Sequence, residues 1–167
     1  MNLVYKPIDK GNFEAVVKLS DALTDNQKRC VASNAYSIAE ASVHPDNAYA
    51  RAIYLGDTPI GFFMVFIPDE KSTAEGDDAF FLWRFMIVPD YQRKGYGRLV
   101  LDHVAKLAKA HGFKRVLTSC GMVEDGPYPF YVRYGFKENG DKIGDETVLE
   151  YDIDSPSRKP SQEKTPT

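Results

Sequence analysis

The sequence predicts an α+β domain built around one mixed sheet, and three observations carry that prediction. Segments rich in aromatic and branched residues alternate along the chain with segments whose apolar residues fall at helical spacing. Two of the apolar segments are joined by a short turn, which makes a hairpin, and another pair is bridged by a long amphipathic stretch, which makes a β-α-β crossover. The chain of 167 residues, 43% hydrophobic and 13% aromatic, is the size of one domain with a real core. The resulting order β-α-α-β-β-β-α-β-α-β gives a mixed, mostly antiparallel sheet flanked by helices.

The first strand is Leu3 to Lys6, followed by a helix from Gly11 to Leu23 that carries Phe13, Val16, Val17 and Leu19 at helical spacing. A polar joint leads to a second helical region, Cys30 to Ala41. "YARAIYL" (Tyr49 to Leu55) and "PIGFFMVFI" (Pro59 to Ile67) form a hairpin about "GDT". After the polar loop "PDEKSTAEGDD" comes a strand, "AFFLWRFMIV" (Ala79 to Val88). Tyr96 to His111 places Leu99, Val100, Val104, Leu107 and Ala108 on one helical face and stops at Gly112. "KRVLTSC" is a strand, "PYPFYVRY" a short helix opened by a proline, and "ETVLEYDI" a last strand.

Bulk properties exclude several functions. The formal net charge is -3 and the two signs are interspersed, so the basic face that a phosphate backbone requires is missing. The N-terminus turns polar within five residues and no apolar run approaches the roughly 20 residues of a membrane span, so a soluble, cytoplasmic protein is expected. Cys30 and Cys120 stand far apart with no CxxC or Cys/His cluster, which predicts free thiols and no zinc site. From Asp154 the chain is rich in Pro, Ser, Thr and charge, so a domain over residues 1–153 and a disordered tail over 154–167 are expected.

The stretch "VPDYQRKGYG" (Val88 to Gly97) lies between a strand and a helix. Arg93, Lys94, Gly95, Tyr96 and Gly97 fall at the helix's first turn, where backbone amides have no intrahelical acceptor and the dipole favours an anion. A diphosphate fits such a place. Gly95 and Gly97 allow close backbone approach, and Arg93 and Lys94 add charge at the rim. Two glycines at a strand-to-helix turn also serve as plain turn chemistry. The GxxxxGK[ST] pattern is absent, as are the third glycine and downstream acid of a dinucleotide fingerprint.

Strand, Gln92-Arg93-Lys94-Gly95-Tyr96-Gly97 and amphipathic helix together resemble the acetyl-CoA motif Gln/Arg-x-x-Gly-x-Gly/Ala of the GCN5-related N-acetyltransferases (GNAT superfamily). "FYVRYGF" (Phe130 to Phe136) resembles the family's later Tyr-x-x-x-Gly-Phe signature. "VEDGPYPFYVRYGF", "VASNAYSIAEA" and "LWRFMIVPDYQRKGYG" look like a bacterial spermine/spermidine acetyltransferase-like subgroup. The resemblance implies an N-acetyltransferase in which acetyl passes directly from acetyl-CoA to an amine through a tetrahedral intermediate, with no metal. It implies that Met86 and Val88, with neighbours Phe85 and Ile87, hydrogen-bond the pantetheine arm, and that Gln92 to Gly97 hold the pyrophosphate. Family analogy leaves room for a homodimer. A chain that keeps the cradle but not the proton transfer would be a non-catalytic acyl-CoA-binding module.

The resemblance assigns Tyr131 as the acid that protonates the leaving thiolate, a step its phenol suits chemically. Pro127 and Pro129 stand where many relatives carry an asparagine and alanine. Known polyamine acetylating relatives place an acidic pair on the central strand where this chain has Trp83 and Arg84, so a polyamine would need acids elsewhere: Glu40, Glu124, Asp125 or Glu146. The attacking amine must shed a proton, and Glu124, in the loop before Tyr131, is the first candidate base, with Glu40 second. Asn34, beside Ser33 on the second helix, is a substrate candidate or a cap. Trp83 and Arg84 are substrate candidates as well. Strand alternation sends Arg84 to the face opposite Trp83 and Phe85, toward an acidic substrate group or an acid of the first helices. His44 precedes a proline and reads as structural, and His103 and His111 as surface residues.

Overall fold

The computed structural model describes residues 2–69 and 79–155. In chain order they form β1 (Leu3–Lys6), α1 (Phe13–Leu19), a 3-10 turn (Ser20–Ala22), α2 (Asp25–Cys30), α3 (Asn34–Ser42), β2 (Ala48–Leu55) and β3 (Thr58–Phe66). Then follow β4 (Phe80–Ile87), a second 3-10 turn (Pro89–Tyr91), α4 (Tyr96–Ala110), β5 (Arg115–Cys120), α5 (Tyr128–Tyr134), β6 (Lys137–Ile143) and β7 (Glu146–Asp152). The strands make one sheet in the order β1-β2-β3-β4-β5-β7-β6, antiparallel throughout except for the β4–β5 pair. The parallel pair is the one bridged by α4, as a crossover requires.

Both faces of the sheet are covered, which is why β3 reads as an unbroken apolar run. Phe63, Val65, Phe80 and Leu82 pack with Val100, Leu101, Val104 and Tyr131 of α4 and α5. Phe62, Met64 and Met86 pack with Val16 of α1 and with Ile38 and Ala41 of α3 on the other face.

Two departures from a regular sheet prepare the site. β4 and β5 are paired only at Phe80–Val116, Phe81–Leu117 and Leu82–Thr118, after which the strands part and leave a gap beside Phe85–Ile87. Within β4, Met64 faces Arg84 but the next residue of β3, Val65, faces Leu82, so Trp83 is an extra residue in a bulge. One extra residue reverses the side-chain alternation. Trp83 and Met86 therefore lie in the same cluster as α3, while Phe85 and Leu82 lie with α4 and α5. The expected opposition of Arg84 and Trp83 fails for this reason: both side chains are on the α3 side, with the guanidinium 5.3 Å from the Trp83 ring centroid.

Elsewhere the observed elements match the expected ones within a few residues, with three differences. The first helix begins at Phe13, because Asp9 Oδ1 accepts from the Gly11 and Asn12 amides and holds a turn there, and it tightens to a 3-10 turn at Ser20. The polar joint contains α2, whose first turn is closed by a reciprocal cap between Thr24 and Gln27. β6 is a strand that the sequence did not announce: every residue in it is exposed, so no alternation marks it. The proposed tail lies outside the described residues from 156 onward, as do residues 70–78 of the polar loop; Asp154 itself pairs with Lys109 at 3.0 Å. No helix among the described residues is long and apolar enough to cross a membrane.

Candidate active site

The gap between β4 and β5 is the centre of the site, and backbone direction decides what lines it. Val88 N–H donates to Ile60 O at 2.9 Å, which makes Ile60–Val88 a hydrogen-bonded antiparallel pair. Counting back by twos, Met86 and Arg84 also point their backbone groups at β3, and Phe85 and Ile87 point theirs into the gap. Of the four residues expected along an extended ligand, Phe85 and Ile87 are thus the two whose backbone groups face the gap, and those of Met86 and Val88 are paired with β3. Gly61 faces this strand because a Cβ there would meet Met86 O at 2.5 Å.

The turn after β4 is shaped by two left-handed residues, Arg93 at φ 57° and Gly95 at φ 88°. Successive amides in such a conformation converge on one point and form a concavity for an anion. Gly95 is the N-cap of α4 with no side-chain cap, and the first amide bonded back into the helix is that of Leu99, to Gly95 O. Among the described residues, the amides of Arg93, Gly95, Gly97 and Arg98 make no hydrogen bond to a backbone carbonyl. A Cβ at Gly95 would have nothing within 4 Å, so the space above it is open, whereas one at Gly97 would meet the Phe130 ring at 3.0 Å. The two glycines therefore do different work. Gly95 shapes the cradle, and Gly97 lets α4 and α5 approach. Arg93 and Lys94 are exposed at the rim, and Tyr96 is buried beneath it.

Gln92 has a role that its place in the motif did not reveal. Its Nε2 donates to Ile87 O at 2.7 Å and its Oε1 accepts from Gln27 Nε2 at 2.9 Å. Gln27 Oε1 accepts in turn from the Thr24 amide. The side chain is spent on fixing the end of β4 to α2, which holds the cradle at the mouth of the gap. Gln27 was missed in the sequence, although the Thr24-x-x-Gln27 spacing is a capping-box signature.

Tyr131 sits on α5 at 5% exposure, its ring between Phe130 and Phe136. Its hydroxyl neighbours Thr118, whose own hydroxyl donates to Leu82 O at 3.0 Å. Leu82–Thr118 is the last pair before the strands part, so the phenol stands at the apex of the gap. Burial raises its pKa far above the ordinary 10.0, and the Thr118 hydroxyl only partly offsets this. The phenol therefore stays protonated at physiological pH. Thr118 was not singled out in the sequence, where a threonine in a strand carries no signal of its own.

The remaining candidates are distributed unequally. Glu40 and Arg84 are one ion pair at 2.8 Å, with Arg84 also donating to Trp83 O at 2.9 Å. Both are only about a fifth exposed, at 22% and 17%. Glu40→Ala is expected to destabilise the fold by about 1–3 kcal/mol, because the guanidinium is left without its carboxylate; chemical denaturation measures it, with Glu40→Gln recovering part of the loss. Asn34 is fully buried, donating to Val16 O at 2.8 Å and standing 3.8 Å from Met86 Sδ, so it ties α3 to α1 behind the sheet. Ser33 caps α3 through the Tyr36 amide. Glu124 and Asp125 are exposed in the loop before α5, and Asp125 takes a left-handed φ of 57°. Glu146 accepts from Ser119 at 2.5 Å on the far side of the gap. His103 is a correction: it stacks on Tyr5 at 4.0 Å and its Nε2 is buried, so burial lowers its pKa, helped by Lys106 and Arg51. Cys30 and Cys120 are free.

The described residues contain no group of His, Cys, Asp and Glu placed to hold a metal. A family model described as "Acetyltransferase (GNAT) family" matches residues 19–136. No curated protein matches the chain. Among solved structures, the chain resembles the PaiA N-acetyltransferase of Thermoplasma acidophilum in complex with coenzyme A, at 17% identity, TM-score 0.69, and coverage of 91% of this chain and 99% of that one. It also resembles a GNAT family acetyltransferase of Elizabethkingia anophelis with acetyl-CoA bound (16%, TM-score 0.62, 90% and 98%). A third is the ribosomal-protein-S18-alanine N-acetyltransferase of Escherichia coli (16%, TM-score 0.64, 91% and 94%). At these identities the likeness is one of fold.

Proposed function

The chain belongs to the GNAT family of acetyltransferases, and from that premise we propose that it transfers the acetyl group of acetyl-CoA to a primary amine of a small molecule by direct attack on the thioester. The observation that carries the reading is the alignment of two features on one gap: the left-handed turn that gathers the Arg93, Gly95 and Gly97 amides at its mouth and the buried Tyr131 hydroxyl at its apex.

The cradle amides of Arg93, Gly95 and Gly97, with the Arg93 and Lys94 side chains at the rim, suit a pyrophosphate. Phe85, and Ile87 through its N–H, turn backbone groups toward a pantetheine arm lying in the gap, the Ile87 carbonyl being held by Gln92. The thioester supplies an acyl carbon open to attack. The acceptor, freed of its ammonium proton, adds its lone pair to that carbon, the carbon–sulfur bond breaks, and Tyr131 gives its proton to the departing sulfur. The nitrogen, left positively charged by the attack, sheds a second proton that returns through water to the phenolate, while the ammonium proton shed before the attack leaves by way of Glu124, so one proton is released per turnover. The products are an amide and the CoA thiol.

Two acceptor classes stem from the sequence, polyamines and amino-acid-like amines. The pairing of Glu40 with Arg84 removes one carboxylate from a polyamine's reach and weighs toward the second class. The E. coli neighbour is named for an alanine of ribosomal protein S18, so its acceptor belongs to a protein and does not decide between these two classes.

Thermal-shift titration with acetyl-CoA and desulfo-CoA tests the reading. At a hundredfold excess over Kd, a ligand bound only to the native state adds about 2.7 kcal/mol, an expected rise in Tm of roughly 5–10 °C for a domain of this size. Absence of a shift with both would return the glycine loop to a plain turn. A shift without turnover on any amine would favour the non-catalytic module.

A further inference from the structure

We propose that the acceptor carries an apolar body, an aromatic or branched aliphatic group, seated in a cleft of about 330 Å³ bounded by His44, Phe66, Phe81, Trp83, Leu117 and Ile143. The inference rests on the transferase reading and names the substrate class for that same site. The cleft lies against the end of the gap: Phe81–Leu117 is the pair before Leu82–Thr118, and Trp83 is the next residue of β4. Trp83 belongs to the α3 side of the sheet, opposite α4, α5 and Tyr131. An amine anchored there approaches the apex from the face that the cradle does not use.

Three rings form the cleft's wall. Trp83 stands 5.7 Å from His44 at 67° and 5.9 Å from Phe66 at 84°, and His44 lies 6.4 Å from Phe66 at 78°. These edge-to-face contacts hold the rings apart instead of letting them collapse into the cleft. Trp83 is presented by the bulge and backed by Arg84, which Glu40 fixes in turn, so the wall is built before a ligand arrives. Among the described residues, no carboxylate lines the cleft. A polyammonium chain entering it would lose hydration without a countercharge, whereas an apolar group gains from burial.

The test is a thiol-release assay on the full chain at saturating acetyl-CoA with 2-phenylethylamine, 3-methylbutylamine, ethylamine and spermidine; each reaction yields one N-acetyl amide and one CoA thiol. The two apolar amines are expected to exceed ethylamine and spermidine in kcat/KM by roughly tenfold or more. Phe66→Ala should erase most of that preference. Ile143→Glu, at a half-exposed position that does not threaten folding, should lower the rate with 2-phenylethylamine and raise it with spermidine by supplying the missing carboxylate. Spermidine or ethylamine as the better substrate, or a preference unchanged in both variants, overturns the inference while leaving the transferase standing. Transfer to none of the amines, with the acetyl-CoA thermal shift intact, overturns the transferase reading and this one with it.

Discussion

Gly95→Asp is expected to abolish measurable acetyl-CoA binding while the protein still folds. The position is left-handed, at φ 88°, and a Cβ there meets nothing within 4 Å, so an aspartate, which tolerates that conformation better than most residues, fits without a packing clash. Its carboxylate would stand over the converging amides of the α4 N-terminus, where it competes for those donors and repels a diphosphate. Two like charges about 4 Å apart near a protein surface cost about 4 kcal/mol, and a loss of at least a hundredfold in affinity is expected. Gly95→Asn, of the same shape without the charge, should lose far less. Isothermal titration separates the two. Equal affinity in Gly95→Asp and the native protein would remove the diphosphate from this turn.

Tyr131→Phe is expected to lower kcat by about 10²–10⁴ with acetyl-CoA affinity unchanged. The ring keeps its contacts with Phe130 and Phe136, so only the hydroxyl at the gap's apex is lost. The stability change should stay near 1 kcal/mol, which separates a chemical role from a packing one. Unchanged turnover would exclude Tyr131 as the acid. The pH profile adds a second reading. Burial raises the phenol's pKa above 10.0, so the donor stays protonated and produces no alkaline fall below that pH, while the rate climbs as the acceptor ammonium deprotonates. The linked stability term has the same sign: the folded state holds this proton more tightly, so its contribution is complete below pH 10.0 and is lost as pH rises above it.

The sequence by itself determined the elements whose cause is local. The apolar face of α4, the aromatic strands of the β2–β3 hairpin, the proline opening of α5 and the glycine cradle at Gly95 each arise from residues within a few positions of one another, so period and turn chemistry sufficed. β6 escaped because an exposed polar strand owes its pairing to β7 and carries no pattern of its own. The site's remaining features were settled only by tertiary structure, because they join residues distant in the chain. The bulge at Trp83 depends on β4's register against β3, and it reverses the alternation on which the expected placement of Arg84 rested. Glu40 and Arg84 read as two candidates until α3 packed on β4 and made them one pair. The gap itself exists because β4 and β5 stop pairing after Leu82 and Thr118, a choice that neither strand's sequence records alone. Side-chain periodicity says which face a residue takes within a regular strand; where the strand departs from regularity, and what it meets there, is decided by the neighbours that folding brings to it.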